Sequence, residues 1–202
     1  MRERLTVYIV DDDASVRDSL ALMLGLSGYS TALFADAEAL LAAWQPHWTG
    51  CVVADLRLPG RTGIELQAEL RARASPLPFI IITAHGDVAT ARTAFQASAV
   101  DFLEKPFDHA QLRAAIESAF SREGRRLQRS AEAARLAVLT VREREVLEQA
   151  AQGLHAKEIA ARLGISPRTV EVHKTRIMAK LGVRNVAELV RFALAGDSSP
   201  DP

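Results

Sequence analysis

Along residues 5–120, short apolar runs alternate with longer stretches in which apolar positions recur every three or four residues. The short runs are LTVYIV (5–10), STALF (30–34), CVVAD (51–55), PFIIIT (78–83) and VDFL (100–103). Their length and their Val, Ile and Phe content read as strands. The stretches near 14–26, 36–45, 63–73, 87–98 and 108–121 read as helices. Asp36, Asp87 and Asp108 stand just ahead of helical stretches, where a carboxylate accepts hydrogen bonds from the free N–H groups of the first turn. This alternation predicts an α/β domain: a five-stranded, parallel, doubly wound sheet with helices on both faces. Near-continuous apolar strands are what burial on two sides requires.

Beyond residue 121 the pattern changes. SREGRRLQRSAEAARLAV (121–138) is rich in Arg, Ala and Glu, has one Gly and lacks a turn cluster, so it reads as an extension of the fifth helix or a helical linker. A flexible spacer is the competing reading. Short helices punctuated by Gly follow, near 141–152, 155–163, 167–181 and 185–195. Thr140 and Glu143 form a capping-box pattern, repeated by Asn185 and Glu188, and Ser166-Pro167 opens a helix sharply. The expected organisation is a first domain over 1–121, a helical linker over 122–138 and an all-α domain over 139–197. A disordered tail covers 198–202.

Composition narrows the class. The chain has 202 residues, 49% of them hydrophobic, which suits two small domains with real cores. No apolar run approaches the roughly 18 residues of a membrane span, and the N-terminus lacks the features of a signal peptide. Cys51 is the sole cysteine, so no internal disulfide forms. A soluble cytoplasmic protein without a membrane partner is expected. The net charge of zero hides an asymmetry: residues 1–121 carry 10 Lys+Arg against 15 Asp+Glu, and residues 122–202 carry 15 against 10. An acidic first half facing a cation and a basic second half facing nucleic acid fit that division.

Two strands end on carboxylates. LTVYIV runs into Asp11-Asp12-Asp13, and CVVAD ends at Asp55 before the turn Leu58-Pro59-Gly60. Ligands of open α/β sheets collect outside the carboxyl ends of the strands. If these strands are neighbours, three or four carboxylates crowd one pocket, which requires a proton or a divalent cation. Thr83 and Lys105, also at strand ends, add a hydroxyl and a flexible cation. A metal, a cation and a donor around a carboxylate are the parts needed to transfer a phosphoryl group to it. The residues therefore read as a Mg²⁺ site with Asp55 as phosphoryl acceptor.

These segments, DDD (11–13), DLRLPG (55–60), IIITAHGD (80–87) and DFLEKPF (101–107), resemble the receiver domain of bacterial two-component response regulators, specifically the FixJ-like branch. The resemblance implies a flavodoxin-like fold. Asp11, Asp12, Asp55 and the backbone carbonyl of Arg57 would hold Mg²⁺ or Mn²⁺. Asp55 would accept the phosphoryl group from a sensor histidine kinase, and Lys105 would pair with its oxygens. Thr83 would move toward it and Phe102 would swing inward as the switch, and the Lys105–Pro106 bond would be cis. Ala84, Ala89 and Ser98 depart from the residues common in close relatives, which bears on the output surface.

Helix 155–163, a turn at Gly164-Ile165 and helix 167–181 have the proportions of a helix-turn-helix. On the second helix Val170, Ile177 and Leu181 share one stripe, and Arg168, Val172, Thr175 and Ala179 lie opposite. Val172 suits a thymine methyl, and Glu171 suits a cytosine amino group. Lys174, Arg176, Lys180 and the amides around Thr169 are candidates for phosphates, and Ser166, Arg168 and Thr175 join the DNA-binding set. KEIA, GIS-x-x-TV-x-x-H and the final K-L resemble the LuxR-type DNA-binding module. In that module the last helix, here with Val186, Leu189, Val190 and Ala193 on one side, dimerises on DNA. Glu143, Glu145 and His173 read as internal supports or solvated groups.

The combined expectation is a transcription factor whose phosphorylation promotes homodimerisation and binding to double-stranded promoter DNA, with RNA polymerase as a further partner. An enzyme is not expected: a phosphatase of this type carries a second Asp where Arg57 stands, so slow self-dephosphorylation shaped by Arg57 and His85 is the residual activity. A constitutive DNA-binding protein with a silent receiver is the remaining alternative.

Overall fold

The structure is a computed structural model that describes residues 5–84, 101–185 and 188–190. The expected helix 87–98 lies outside them, as do His85, Asp87, Ala89, Ser98, most of helix 185–195 and the tail. The chain divides between Arg125 and Arg126 into two compact units.

In the first unit five parallel strands form one sheet in the order β2-β1-β3-β4-β5. They are β1 (Thr6–Val10), β2 (Ser30–Phe34), β3 (Gly50–Asp55), β4 (Phe79–Thr83) and β5 (Asp101–Glu104). Helices α1 (Ala14–Leu26), α2 (Ala37–Ala43) and α3 (Gly63–Ala72) intervene, and α4 (His109–Ala137) follows β5. Because side chains alternate across a strand, the apolar strands feed two cores. Tyr8, Val10, Val52, Ala54 and Ile81 pack with Leu40 and Leu41 of α2 and with Leu66 and Leu70 of α3. Val7, Ile9, Val53, Ile80 and Ile82 pack with Leu20 and Leu24 of α1 and with Leu112 and Ile116 of α4. Each such side chain contributes about 1.5–3 kcal/mol by leaving water. Cys51 is buried in the second core, and burial pushes its thiol pKa up, so it is a packing residue.

Trp48 stacks on Tyr8 with ring centroids 4.3 Å apart and leans on Phe34 at 6.0 Å. Helix starts follow the caps read from the sequence: Asp36 accepts from Ala39 N at 2.7 Å, and Asp108 accepts from Gln111 N at 2.8 Å. The fifth helix does not stop at residue 121 but continues to Ala137, the extension reading of the Arg- and Ala-rich stretch.

The second unit contains α5 (Val141–Ala151), α6 (Ala156–Leu163) and α7 (Pro167–Leu181). Leu139, Val146, Leu147, Ile159, Val170, Ile177, Leu181 and Leu189 form its core. Thr140 and Glu143 close the expected capping box. At the last helix Asn185 accepts from Glu188 N, but the Glu188 carboxylate takes the Arg184 N–H, so the expected reciprocal box is a one-sided cap. No described helix is long and apolar enough to cross a membrane.

Candidate functional site

The register of β1 on β3 pairs Val10 with Ala54, so the next residues, Asp11 and Asp55, emerge side by side at the carboxyl edge of the sheet. This edge is the switch point of the 2-1-3-4-5 order, where helices leave to opposite faces and a crevice opens. Asp11 and Asp55 are buried, whereas Asp12 is exposed. Lys105, just beyond β5, places Nζ 2.8 Å from Asp55 Oδ1 and 3.0 Å from Asp11 Oδ2. Burial alone would lower the Lys105 pKa; the bonds to Asp55 and Asp11 outweigh it and raise the value.

The remaining carboxylate oxygens accept backbone N–H groups: Asp55 Oδ2 from Arg57 at 2.7 Å, and Asp11 Oδ1 from Asp13 at 2.9 Å. Asp13 is turned away as the N-cap of α1, accepting from Ser15 N. The crowd of three or four carboxylates expected from the sequence is thus corrected to two. Asp12 stays in water, and among the described residues no three His, Cys, Asp or Glu side chains gather closely enough to hold an ion by themselves.

That set still fits Mg²⁺. The ion favours oxygen donors, is commonly held by one or two carboxylates and keeps several waters. Asp11 and Asp55 supply two hard donors, and Lys105 neutralises only one of their two charges.

Two supports were not read from the sequence. Arg17 of α1 donates from its guanidinium to the Asp11 carbonyl at 2.5 Å. Gly63 opens α3 directly beneath the pocket: a Cβ there would lie 2.5 Å from the Asp55 carbonyl oxygen. Thr83 is fully buried at the end of β4, and its carbonyl accepts the Lys105 N–H at 2.6 Å. Phe102 is half-buried against the core beneath α2 and α3. The Lys105–Pro106 bond is cis.

In the second unit α6 ends on Gly164 in the left-handed conformation, and Ser166 caps α7. Val170, Ile177 and Leu181 are buried, and Arg168, Val172, Thr175, Arg176 and Ala179 are exposed, as the helical spacing required. Val172 is 43% exposed, large for an apolar side chain. Three expected phosphate contacts are enclosed or have partners within the chain. Lys174 is only 8% exposed because it sits one turn from Val170 on the core stripe. Lys180 is held by Glu143 Oε2 at 2.6 Å and by the Val138 carbonyl at 3.3 Å. The Thr169 amide donates to Ser166 Oγ within the cap.

Glu143 is an internal support. Lys180 first, and then the Thr140 backbone N–H, pull its carboxyl down to about 2 from an ordinary 4.5. A depressed carboxylate stabilises the fold fully above its unfolded value and loses that contribution as pH falls toward the folded one. The wild-type chain is therefore expected to lose about 1–2 kcal/mol of this unit's stability between pH 4.5 and 2.5, after discounting for screening at the partly exposed Lys180. Lys180→Met should flatten that slope in acid unfolding followed by circular dichroism.

Residues 7–117 match the family model of the response regulator receiver domain, and residues 137–193 match that of the bacterial regulatory proteins of the luxR family. The chain is 45% identical over 192 residues to the transcriptional regulatory protein FixJ of Bradyrhizobium diazoefficiens, covering 93% of this chain and 94% of the relative. It is 44% identical over 193 residues to the C4-dicarboxylate transport transcriptional regulatory protein DctR of Rhodobacter capsulatus, covering 93% and 98%. Among solved structures, the response regulator StyR superposes with a TM-score of 0.75 at 40% identity, covering 95% of this chain and 98% of that one. Full-length FixJ from B. japonicum gives 0.61 at 43% identity, covering 98% and 99%. A sheet edge bearing a lysine-bridged acid pair and a helix-turn-helix thus occur in one chain whose whole length follows these relatives, and the protein belongs to the two-component response regulators, as a transcriptional regulator with a receiver and a LuxR-type DNA-binding domain.

Proposed function

We propose that a sensor histidine kinase phosphorylates Asp55 in a Mg²⁺-dependent reaction, and that this promotes receiver dimerisation and sequence-specific binding to promoter DNA. The observation that carries the reading is the Lys105 ammonium bridging Asp55 Oδ1 and Asp11 Oδ2. In the transfer, the P–N bond of a phosphohistidine breaks as an Asp55 oxygen bonds to phosphorus, and the imidazole leaves with its electron pair and takes up a proton. When bound, Mg²⁺ supplies charge neutralisation for the phosphoryl oxygens. Asp11 and Asp55, with Asp12 from the solvent side and the Arg57 carbonyl, are the residues that would hold it. Lys105 pairs with the phosphoryl oxygens, and Thr83 and Phe102 carry the change to the surface that pairs two copies.

Two linked DNA-binding domains then meet a two-fold site at high effective concentration. Arg168, Val172, Thr175 and Arg176 face the DNA, and RNA polymerase is the partner downstream. The protein turns over no substrate beyond slow loss of its own phosphoryl group and works in the cytoplasm.

The test incubates the full chain with acetyl phosphate and Mg²⁺. The expected result is one added phosphoryl group in the intact mass, absent in Asp55→Asn and after removal of Mg²⁺ with a chelator, together with tighter binding to selected duplex DNA. Labelling that survives Asp55→Asn, or labelling without tighter binding, overturns the reading.

A further inference from the structure

The exposed face of α7 is bordered by one acidic side chain, Glu171, whose surroundings are unlike those of an ordinary solvated glutamate. Lys174, one turn along, lies on the stripe shared by the core residues Val170 and Ile177 and is only 8% exposed. A buried ammonium is costly without a charged or hydrogen-bonded partner. Among the described residues its charged partner is Glu171, with Nζ 3.3 Å from Oε1. The lysine is 10% exposed at its side chain and the glutamate 61%.

The enclosed ammonium needs this partner, and the same contact restrains the otherwise free glutamate side chain. The lysine contacts one carboxylate oxygen of Glu171, Oε1, while the glutamate side chain stays 61% exposed. Thr175, one turn on, donates its hydroxyl to the Glu171 carbonyl at 3.0 Å.

We propose that Lys174 is a positioning residue that fixes the Glu171 carboxylate as an acceptor for the amino group of a cytosine, so that the pair determines base choice at one position of the site. This rests on the reading of α7 as the element that enters the major groove. A carboxylate discriminates among base edges by charge. Cytosine presents an amino donor at N4 with an acceptor on one side only, the O6 of its paired guanine. The adenine amino group lies between N7 and the O4 of its paired thymine, and guanine and thymine present acceptor oxygens, all of which repel an anion. An unfixed glutamate would also be free to swing from the phosphates; the lysine prevents this by pinning it from the helix side. The exposed Val172 offers an apolar contact one residue along, so the preferred cytosine should adjoin a thymine.

The test is selection of bound sequences from a randomised duplex library by the full chain treated with acetyl phosphate, followed by affinity measurement on the selected duplex and its single-base variants. Wild type should prefer cytosine at one position by about 10-fold or more. Glu171→Gln keeps an oxygen for Lys174 and lies on the surface, so it tests the contact even where Lys174→Met does not fold. It should lose the preference at that position and leave the others intact. Lys174→Met, checked for an intact thermal transition, should relax the same position alone. Arg176→Ala should weaken all duplexes alike, with a smaller salt dependence. An unchanged preference in Glu171→Gln overturns the proposal. So does an unchanged preference in folded Lys174→Met, or a loss spread evenly over every position. If wild type selects no sequence at all, the DNA-reading premise fails, and this outcome is distinct from the others.

Discussion

Lys105→Met is expected to slow phosphoryl uptake by about 100-fold or more while leaving the sheet intact. Removing one preorganised donor from a site where negative charge develops typically costs 10²–10³ in rate. Here the lost group is the cation that touches both buried carboxylates. The substitution keeps the length of the stem and removes only the charge, so packing is largely preserved. It leaves the Asp11 and Asp55 side chains side by side without the ammonium that bridges them. Without Mg²⁺ the variant should be less stable by about 2 kcal/mol, less than for a fully enclosed pair because Lys105 is 26% exposed at its side chain.

The sign with pH follows from the raised lysine value. The pair's contribution in wild type is complete below 10.5 and is lost as pH rises through the folded value. Mg²⁺ should restore more stability to the variant than to wild type, because the ion then faces two uncompensated charges. Thermal unfolding with and without Mg²⁺ measures this. A variant as stable as wild type in the absence of the ion, with an unchanged labelling rate, would show that the bridge has no such role.

The largest structural effect is expected at Gly50, the first residue of β3. Its φ is +130°, a conformation that side chains rarely adopt, and a Cβ there would lie 1.9 Å from the Thr6 carbonyl oxygen and 2.6 Å from the Thr6 nitrogen. Both contacts are to backbone, so neither can be relieved by turning a side chain. Thr6 and Gly50 are also partners in the first rung of the β1–β3 ladder. Gly50→Ala therefore forces the two central strands apart at their entry, at a cost of about 3 kcal/mol or more from the clash and the backbone strain together. The same ladder ends at Val10 and Ala54, one residue before Asp11 and Asp55, so a variant that still folds should also take up phosphoryl more slowly. Chemical denaturation gives the first quantity and mass labelling the second. A wild-type midpoint would contradict the assigned register.

Most of the first unit was legible because its signals are local. Strand ends, N-cap aspartates and the run of acids at 11–13 declare themselves within a few residues, and Asp11, Asp55, Thr83 and Lys105 stand at the sheet edge where their strands end. The number of carboxylates in the pocket was not legible. Whether Asp12 turns inward depends on how the chain leaves β1, and Lys105 arrives there from far along the sequence. Gly50 and Gly63 gave no signal, since each is required by a backbone it meets only in three dimensions. Lys174 is different. Its place, four residues after Val170 and three before Ile177, marked it as facing the core, but its charge was read ahead of its position. A lysine's apolar stem buries readily while its tip finds a partner. The tie between Glu143 and Lys180, 37 residues apart, was beyond reach of spacing, although the capping box that holds Glu143 was visible.

The stack of Trp48 on Tyr8 has a practical corollary. Both tryptophans, Trp44 and Trp48, and both tyrosines, Tyr8 and Tyr29, precede residue 126, and the second unit has none of either. Absorption near 280 nm and indole emission therefore originate wholly in the sheet-bearing half. Comparing an emission melt with one followed by backbone ellipticity separates the unfolding of the two halves in the intact protein, with no label attached.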